Sequence, residues 1–181
     1  MISRTTLSLK KTCCFSTILC QKNMTHNVFV YGTLKRNEPN HHWLSNSKNG
    51  VSKFIAVGKT IKKYPLIIAT KYNIPFILHK PGLGHHVEGE IYEVDNKMLG
   101  NLDILEDHPN YYIREIDDIE IKKVDNTETM KCWIYFLKNF KEELLTKTMF
   151  ANYSSAGNHG LPYLERSKRD LNYDHYSAVK K

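Results

Sequence analysis

The sequence predicts an α+β domain built on a small mixed β-sheet that closes, or nearly closes, on itself. Three observations predict it. Several short apolar runs bounded by Gly, Pro and Asn read as strands, and one well-formed amphipathic helix lies mid-chain. The length of 181 residues suits one domain with a single sizeable core.

Residues 1–23 carry Ser, Thr, Lys and Arg but no acid, and the first acidic residue is Glu38. This composition resembles a mitochondrial transit peptide. Met24, just before the first strand, is an equally plain start. Residues 1–23 are therefore expected to be a disordered leader or a transit peptide outside the fold. The first strand is expected over 26–31, running into Gly32-Thr33-Leu34. A strand ending at such a glycine can present successive backbone N–H groups to a carboxylate or another anion. Many strands simply end in Gly, so the signal by itself is weak. Residues 37–44 suggest a brief turn or helix, with His41 and His42 on the surface.

Three strands are expected at 52–61, 65–70 and 74–79, where Pro65 and Pro75 favour strand starts or edges. After the Pro81 to Gly84 turn, residues 85–94 alternate and lead directly into a helix over 95–108. Asp95 is its expected N-cap, and Pro109 marks its exit. At about 100° per residue, Met98, Leu99, Leu102 and Leu105 share one arc. Glu106 falls inside that arc, whereas Asp103 and Asp107 lie at its edge or outside. A carboxylate aimed with the apolar face is protonated, paired or put to use. Taken alone, such a residue is more often a structural Glu that swings out at a frayed end or pairs with an Arg. Strands at 111–122 and 130–137 flank Asp125-Asn126 and predict a hairpin. Residues 141–150 read as an amphipathic helix, 153–160 as a polar Gly-containing loop, and the charged stretch beyond Ser167 as a flexible tail.

Charge and cysteines narrow the function classes. The net charge is +7, but removing Arg4, Lys10, Lys11 and Lys22 with the leader leaves +3. No aromatic–basic ladder accompanies it, so nucleic acid is not an expected partner. Cys13, Cys14 and Cys20 sit in the leader, and Cys132 stands alone in an apolar run. One body cysteine makes no disulfide framework, which favours a reducing compartment. No zinc spacing is present, and no apolar stretch is long enough to span a membrane.

Five blocks, met in order, resemble one known family. They are Val28-Phe-Val-Tyr-Gly-Thr-Leu-Lys35, then Tyr64-Pro-Leu-Ile-Ile68 with Asn73 to His79, then Val87-Glu-Gly-Glu-Ile-Tyr92. Leu102-Asp-Ile-Leu-Glu-Asp-His-Pro109 follows, with Tyr112 and Arg114 behind it, and then the loop Tyr153 to Gly160 with Leu161-Pro-Tyr163. Together they resemble the gamma-glutamylcyclotransferase superfamily, and within it the gamma-glutamylaminecyclotransferase and AIG2-like branch. The resemblance covers about residues 27–163, which places the domain at 24–166 and leaves 167–181 as the flexible tail.

The resemblance implies a compact mixed β-barrel with flanking helices. It implies a cofactor-independent, metal-free reaction in which the free α-amine of an L-γ-glutamyl group attacks its own γ-carbonyl. The products are 5-oxoproline and the released amine, with γ-glutamyl-ε-lysine as the favoured substrate. Glu106 matches the family's catalytic acid, acting as base and then as acid. Tyr31, Gly32, Thr33 and Leu34 match its substrate loop, and Tyr112, Arg114 and Tyr153 are further candidates for substrate contact. Asp107 stands where many relatives have glycine, and Leu161-Pro162 where a basic residue is expected. Two alternatives stay open. One is a cyclotransferase for γ-glutamyl amino acids or glutathione, and the other is a non-catalytic module that binds γ-glutamyl compounds. A small-molecule substrate, a monomer, and a cytoplasmic location (or a mitochondrial one if 1–23 is a transit peptide) complete the expectation.

Overall fold

A computed structural model describes residues 24–170 and 172–181. The leader and Cys13, Cys14 and Cys20 lie outside the described residues. The elements run β1 (Thr25–Val30), α1 (His42–Ser45), β2 (Ser52–Tyr64), β3 (Leu66–Ala69), β4 (Ile74–Ile77), β5 (His85–Asp95), α2 (Asn96–Leu105), β6 (Ile113–Lys122) and β7 (Thr127–Phe136). Three 3-10 turns, Ser47–Asn49, Glu142–Thr146 and Arg166–Lys168, complete the set.

Five strands form a closed barrel in the order β1-β5-β2-β6-β7. The pairings β1–β5, β5–β2, β2–β6 and β6–β7 are antiparallel. The barrel is closed by a parallel contact of β1 with β7 at Val28 and Trp133. Closure leaves no free edge in the barrel. The β6–β7 hairpin turns at Asp125-Asn126 as expected, with Lys123 N–H donating to the Asn126 carbonyl at 2.9 Å. The strands β3 and β4 form a separate two-stranded sheet in which Leu66 pairs with Ile77. It joins the barrel through isolated bridges from Leu66 to Phe150 and from Leu78 to Leu137.

The period-2 geometry of a strand divides the apolar residues of β1 between two cores. Phe29 and Tyr31 join Val87, Ile91, Ile119, Ile134 and Phe136 in the core that fills the barrel. Val28 and Val30 point the other way. They pack with Val94, Met98, Leu99, Leu102 and Leu105 in the layer beneath α2. Gly89 is required at the β1–β5 seam, because a Cβ there would sit 2.5 Å from the Val30 carbonyl oxygen. Cys132 is buried, and loss of hydration pushes its thiol up to about 12, as suits a small core residue.

Two expectations are corrected. The helix expected over 95–108 ends at Leu105, and Glu106 is its C-cap. Asp107 adopts φ +48°, a left-handed conformation that stops the helix well before Pro109. Residues 141–150 do not form an α-helix but a single 3-10 turn at Glu142–Thr146. Here tertiary bonds compete with the helical ladder: Phe150 N–H donates to Leu66 O at 2.8 Å, and Lys141 N–H to Val179 O at 2.9 Å. Residues 172–181, the end of the 167–181 stretch expected as a flexible tail, lie against the domain. Val179 is fully buried, and the Tyr176 ring centroid is 4.1 Å from that of Tyr111.

Candidate active site

Helix α2 carries Glu106 to its position. Asp95 caps the helix, its Oδ1 accepting from the Met98 N–H at 2.7 Å. Met98, Leu99, Leu102 and Leu105 are buried, so the helix has one permitted rotation about its axis. Glu106 N–H still donates to Leu102 O at 2.9 Å, and Tyr112 N–H donates to Glu106 O at 3.3 Å. The left-handed turn at Asp107 then takes the chain away. The Asp107 side chain holds that turn, accepting from Asn110 Nδ2 at 3.0 Å and from the Tyr176 hydroxyl at 2.9 Å. An aspartate tolerates the conformation better than most side chains do, which is why a glycine would also suit this position.

A cavity of about 160 Å³ opens beside Glu106. Its lining includes Tyr31, Gly32, Thr33 and Leu34 from the end of β1, together with Glu106, Tyr111 and Tyr112 from the end of α2. Glu106 is partly exposed because it faces this space, yet its carboxyl is enclosed by protein. Desolvation pushes it up to about 7, against the opposing pull of the Arg166 guanidinium. A carboxyl with that value has both protonation states available near neutral pH.

The β1 loop supplies the opposite chemistry. No acceptor among the described residues takes the N–H groups of Gly32, Thr33 or Leu34. The loop is held from behind. Asn40 N–H donates to Thr33 O at 2.9 Å, and Asn40 Nδ2 donates to Thr33 Oγ1, also at 2.9 Å. Gly32 lies so close to β4 that an added Cβ would be 2.8 Å from Pro75 Cγ. Tyr31 lines the cavity, but its hydroxyl is already committed. It donates to Tyr135 O at 2.9 Å and accepts from Ile77 N–H at 3.4 Å. Tyr112 stacks on Phe76 with centroids 5.7 Å apart and packs edge-on against Tyr111.

Two of the expected residues do not line the cavity. Arg114 points elsewhere, pairing with Asp103 at 3.4 Å and lying 4.6 Å over the Trp133 ring. Its partner Asp103 in turn accepts from the hydroxyl of Tyr135, which lines the cavity. Tyr153 belongs to the barrel core, and its carbonyl accepts from Lys35 Nζ at 2.6 Å. The cavity instead recruits Tyr163, from the last of the five blocks, and four residues beyond it that no local pattern singles out. Tyr163, Arg166, Arg169, His175 and Tyr176 line it from the C-terminal segment. Arg166 donates from Nη2 to the Leu105 carbonyl at 3.2 Å, at the electronegative end of α2. The buried Tyr111 hydroxyl has no partner among the described residues. Basic and aromatic residues in a charged tail look like solvated surface, and only their meeting in space distinguishes them.

No group of three or more His, Cys, Asp or Glu is placed to hold a metal ion among the described residues. No described helix is long and apolar enough to cross a membrane.

Comparison with known proteins gives one consistent result. The family model described as "Gamma-glutamyl cyclotransferase, AIG2-like" matches residues 28–155. The chain is 46% identical over 147 residues to gamma-glutamylaminecyclotransferase C of Danio rerio, covering 80% of this chain and 97% of that protein. It is 39% identical over 150 residues to gamma-glutamylaminecyclotransferase of Homo sapiens, covering 78% and 98% respectively. Among solved structures, an AIG2-like protein from Mus musculus superposes with a TM-score of 0.76 at 39% identity. That superposition covers 80% of this chain and 99% of that one.

Proposed function

The chain belongs to the AIG2-like gamma-glutamyl cyclotransferase family, and from that premise we propose that it cyclises L-γ-glutamyl amines such as γ-glutamyl-ε-lysine to 5-oxoproline and the free amine. The observation that carries this reading is one enclosed carboxyl, Glu106, facing a cavity shared with the unpaired N–H groups of Gly32 to Leu34.

The substrate contains both its nucleophile and its electrophile, so folding it back against the loop meets much of the cost of orientation. The α-amine arrives as ammonium. Glu106, ionised, takes one proton from it. The amine nitrogen then bonds to the γ-carbonyl carbon, and the carbonyl electrons move to oxygen. Loop N–H groups directed at that oxygen stabilise the charge, while others in the row hold the α-carboxylate. Collapse of the intermediate re-forms the carbonyl and breaks the bond to the leaving nitrogen. That nitrogen takes the proton held by Glu106, and the restored carboxylate then receives the second proton, which the ring nitrogen sheds as it becomes an amide, and passes it to the released amine, which leaves as ammonium. A carboxyl near 7 serves both steps, where an ordinary Glu would be too weak a base.

The test is 5-oxoproline release by the full chain from γ-glutamyl-ε-lysine, γ-glutamyl-alanine and glutathione, beside Glu106→Gln. We expect release by the wild type and a loss of kcat of at least about 100-fold in the variant. The substrate ranking separates the aminecyclotransferase reading from one directed at γ-glutamyl amino acids. Undiminished turnover by Glu106→Gln would overturn the assigned role. Binding without release from any substrate would favour a non-catalytic module.

A further inference from the structure

Arg166 and Arg169 stand together on the cavity wall without an acidic partner. Neither takes part in an ion pair within 4 Å among the described residues. Arg166 uses Nη2 on the Leu105 carbonyl. Arg169 uses Nε on the Leu164 carbonyl at 3.0 Å, and its Nη2 is buried with no acceptor among the described residues. Its guanidinium is held by two rings, 4.9 Å from the centroid of Tyr72 and 5.0 Å from that of Tyr163. Two like charges on one cavity wall, one of them held between aromatic rings with a buried donor that no acceptor among the described residues takes, leave a place for an anion. Arg in this setting matches a carboxylate.

That anion is distinct from the one the β1 loop would hold. From the loop the contacts run outward. Thr33 Oγ1 accepts from Asn40 Nδ2, Asn40 Nδ2 donates to the Tyr163 hydroxyl at 2.9 Å, and the Arg169 guanidinium lies over the Tyr163 ring. Arg169 is thus reached from the loop through Asn40 and Tyr163. We propose, resting on the cyclotransferase reading above, that Arg169 with Arg166 beside it binds a carboxylate on the leaving half of the substrate. The preferred substrates are then γ-glutamyl conjugates of amines that themselves carry a carboxylate.

The test uses matched leaving groups. γ-Glutamyl-6-aminohexanoate carries a terminal carboxylate, and γ-glutamyl-pentylamine has none. Wild type should favour the first by about 10- to 100-fold in kcat/KM, the range of a charge-assisted hydrogen bond. In Arg169→Gln the ratio should fall toward 1, and Arg169→Lys should restore part of it. A ratio measured within one variant does not depend on the fraction correctly folded. Calorimetric binding of both compounds to Glu106→Gln reads the same preference without turnover. Failure of cyclisation alone would therefore strike the proposed function and not this inference. Equal kcat/KM for the two compounds in wild type would overturn the inference. So would an equal loss on both in Arg169→Gln, because the arginine would then be holding the glutamyl half.

Discussion

Glu106 illustrates how much a single position can carry. Its carboxyl is raised to about 7 by loss of hydration, and this has two consequences of known sign. In the proposed role of base it must be ionised in the free enzyme, so kcat/KM should rise with pH through about 7. An acid limb centred near the ordinary Glu value would contradict this. For stability, a carboxyl whose folded value exceeds its unfolded one favours folding at low pH, and that contribution is lost as pH rises through the folded value. Wild type and Glu106→Gln should therefore unfold alike near pH 4. Above pH 7 the variant should be the more stable, by about 1–3 kcal/mol in denaturant titrations, a range already discounted for the solvent facing Glu106. Gly32 is the second decisive residue. In Gly32→Ala the new methyl meets Pro75, a ring fixed within β4, so the loop must move. A shift of that size should lower kcat/KM by about 10-fold or more while the protein remains folded, as circular dichroism would show.

Helix α2 works as an aiming device. Its four buried apolar residues set its rotation, its Asp95 cap sets its start, and the left-handed Asp107 sets its end. Asp95→Ala removes the acceptor for the Met98 N–H and should cost about 1 kcal/mol, or roughly 2–4 °C in Tm for a chain of this size. An unchanged Tm would show that the packing of the apolar face alone holds the first turn. The end of the helix is tied to the C-terminal segment, because the Tyr176 hydroxyl donates to Asp107. Burial first, and then this bond, push that hydroxyl up to about 12, so it remains a donor across the physiological range.

Across the whole molecule, the barrel and the C-terminal segment divide the labour. The barrel fixes the end of β1 and, through the layer under α2, the end of that helix. The C-terminal segment finishes the cavity wall and is anchored by the fully buried Val179, whose carbonyl accepts from Lys141. Deleting residues 172–181 removes that anchor together with His175 and Tyr176. Loss of one buried valine is worth about 1.5–3 kcal/mol, so Tm should fall by roughly 3–12 °C. KM should rise as well, since the cavity loses part of its wall. A deletion that changed neither Tm nor KM would show that these contacts contribute nothing in solution.

Periodicity and capping are local properties, and they made much of this protein legible in advance. The alternation of β1 and β5, the Asp125-Asn126 hairpin, the Asp95 cap and the placing of Glu106 among the apolar residues of α2 could all be read from neighbouring residues. So could the run of N–H groups at Gly32 to Leu34, which no acceptor among the described residues takes. Residues whose place depends on distant contacts could not. Arg114 and Tyr153 stood near the right blocks but pack on Trp133 and in the barrel core, contacts with residues remote in sequence. Residues 141–150 carry a helical pattern, yet bonds to Leu66 and Val179 outweigh the local ladder. Arg166, Arg169, His175 and Tyr176 look like a solvated tail until the chain brings them to Glu106. The position of Glu106 and of the Gly32 to Leu34 loop was written in short-range pattern. The cavity wall that the C-terminal segment supplies was decided only by folding, since nothing in a local stretch records which remote segment it will meet.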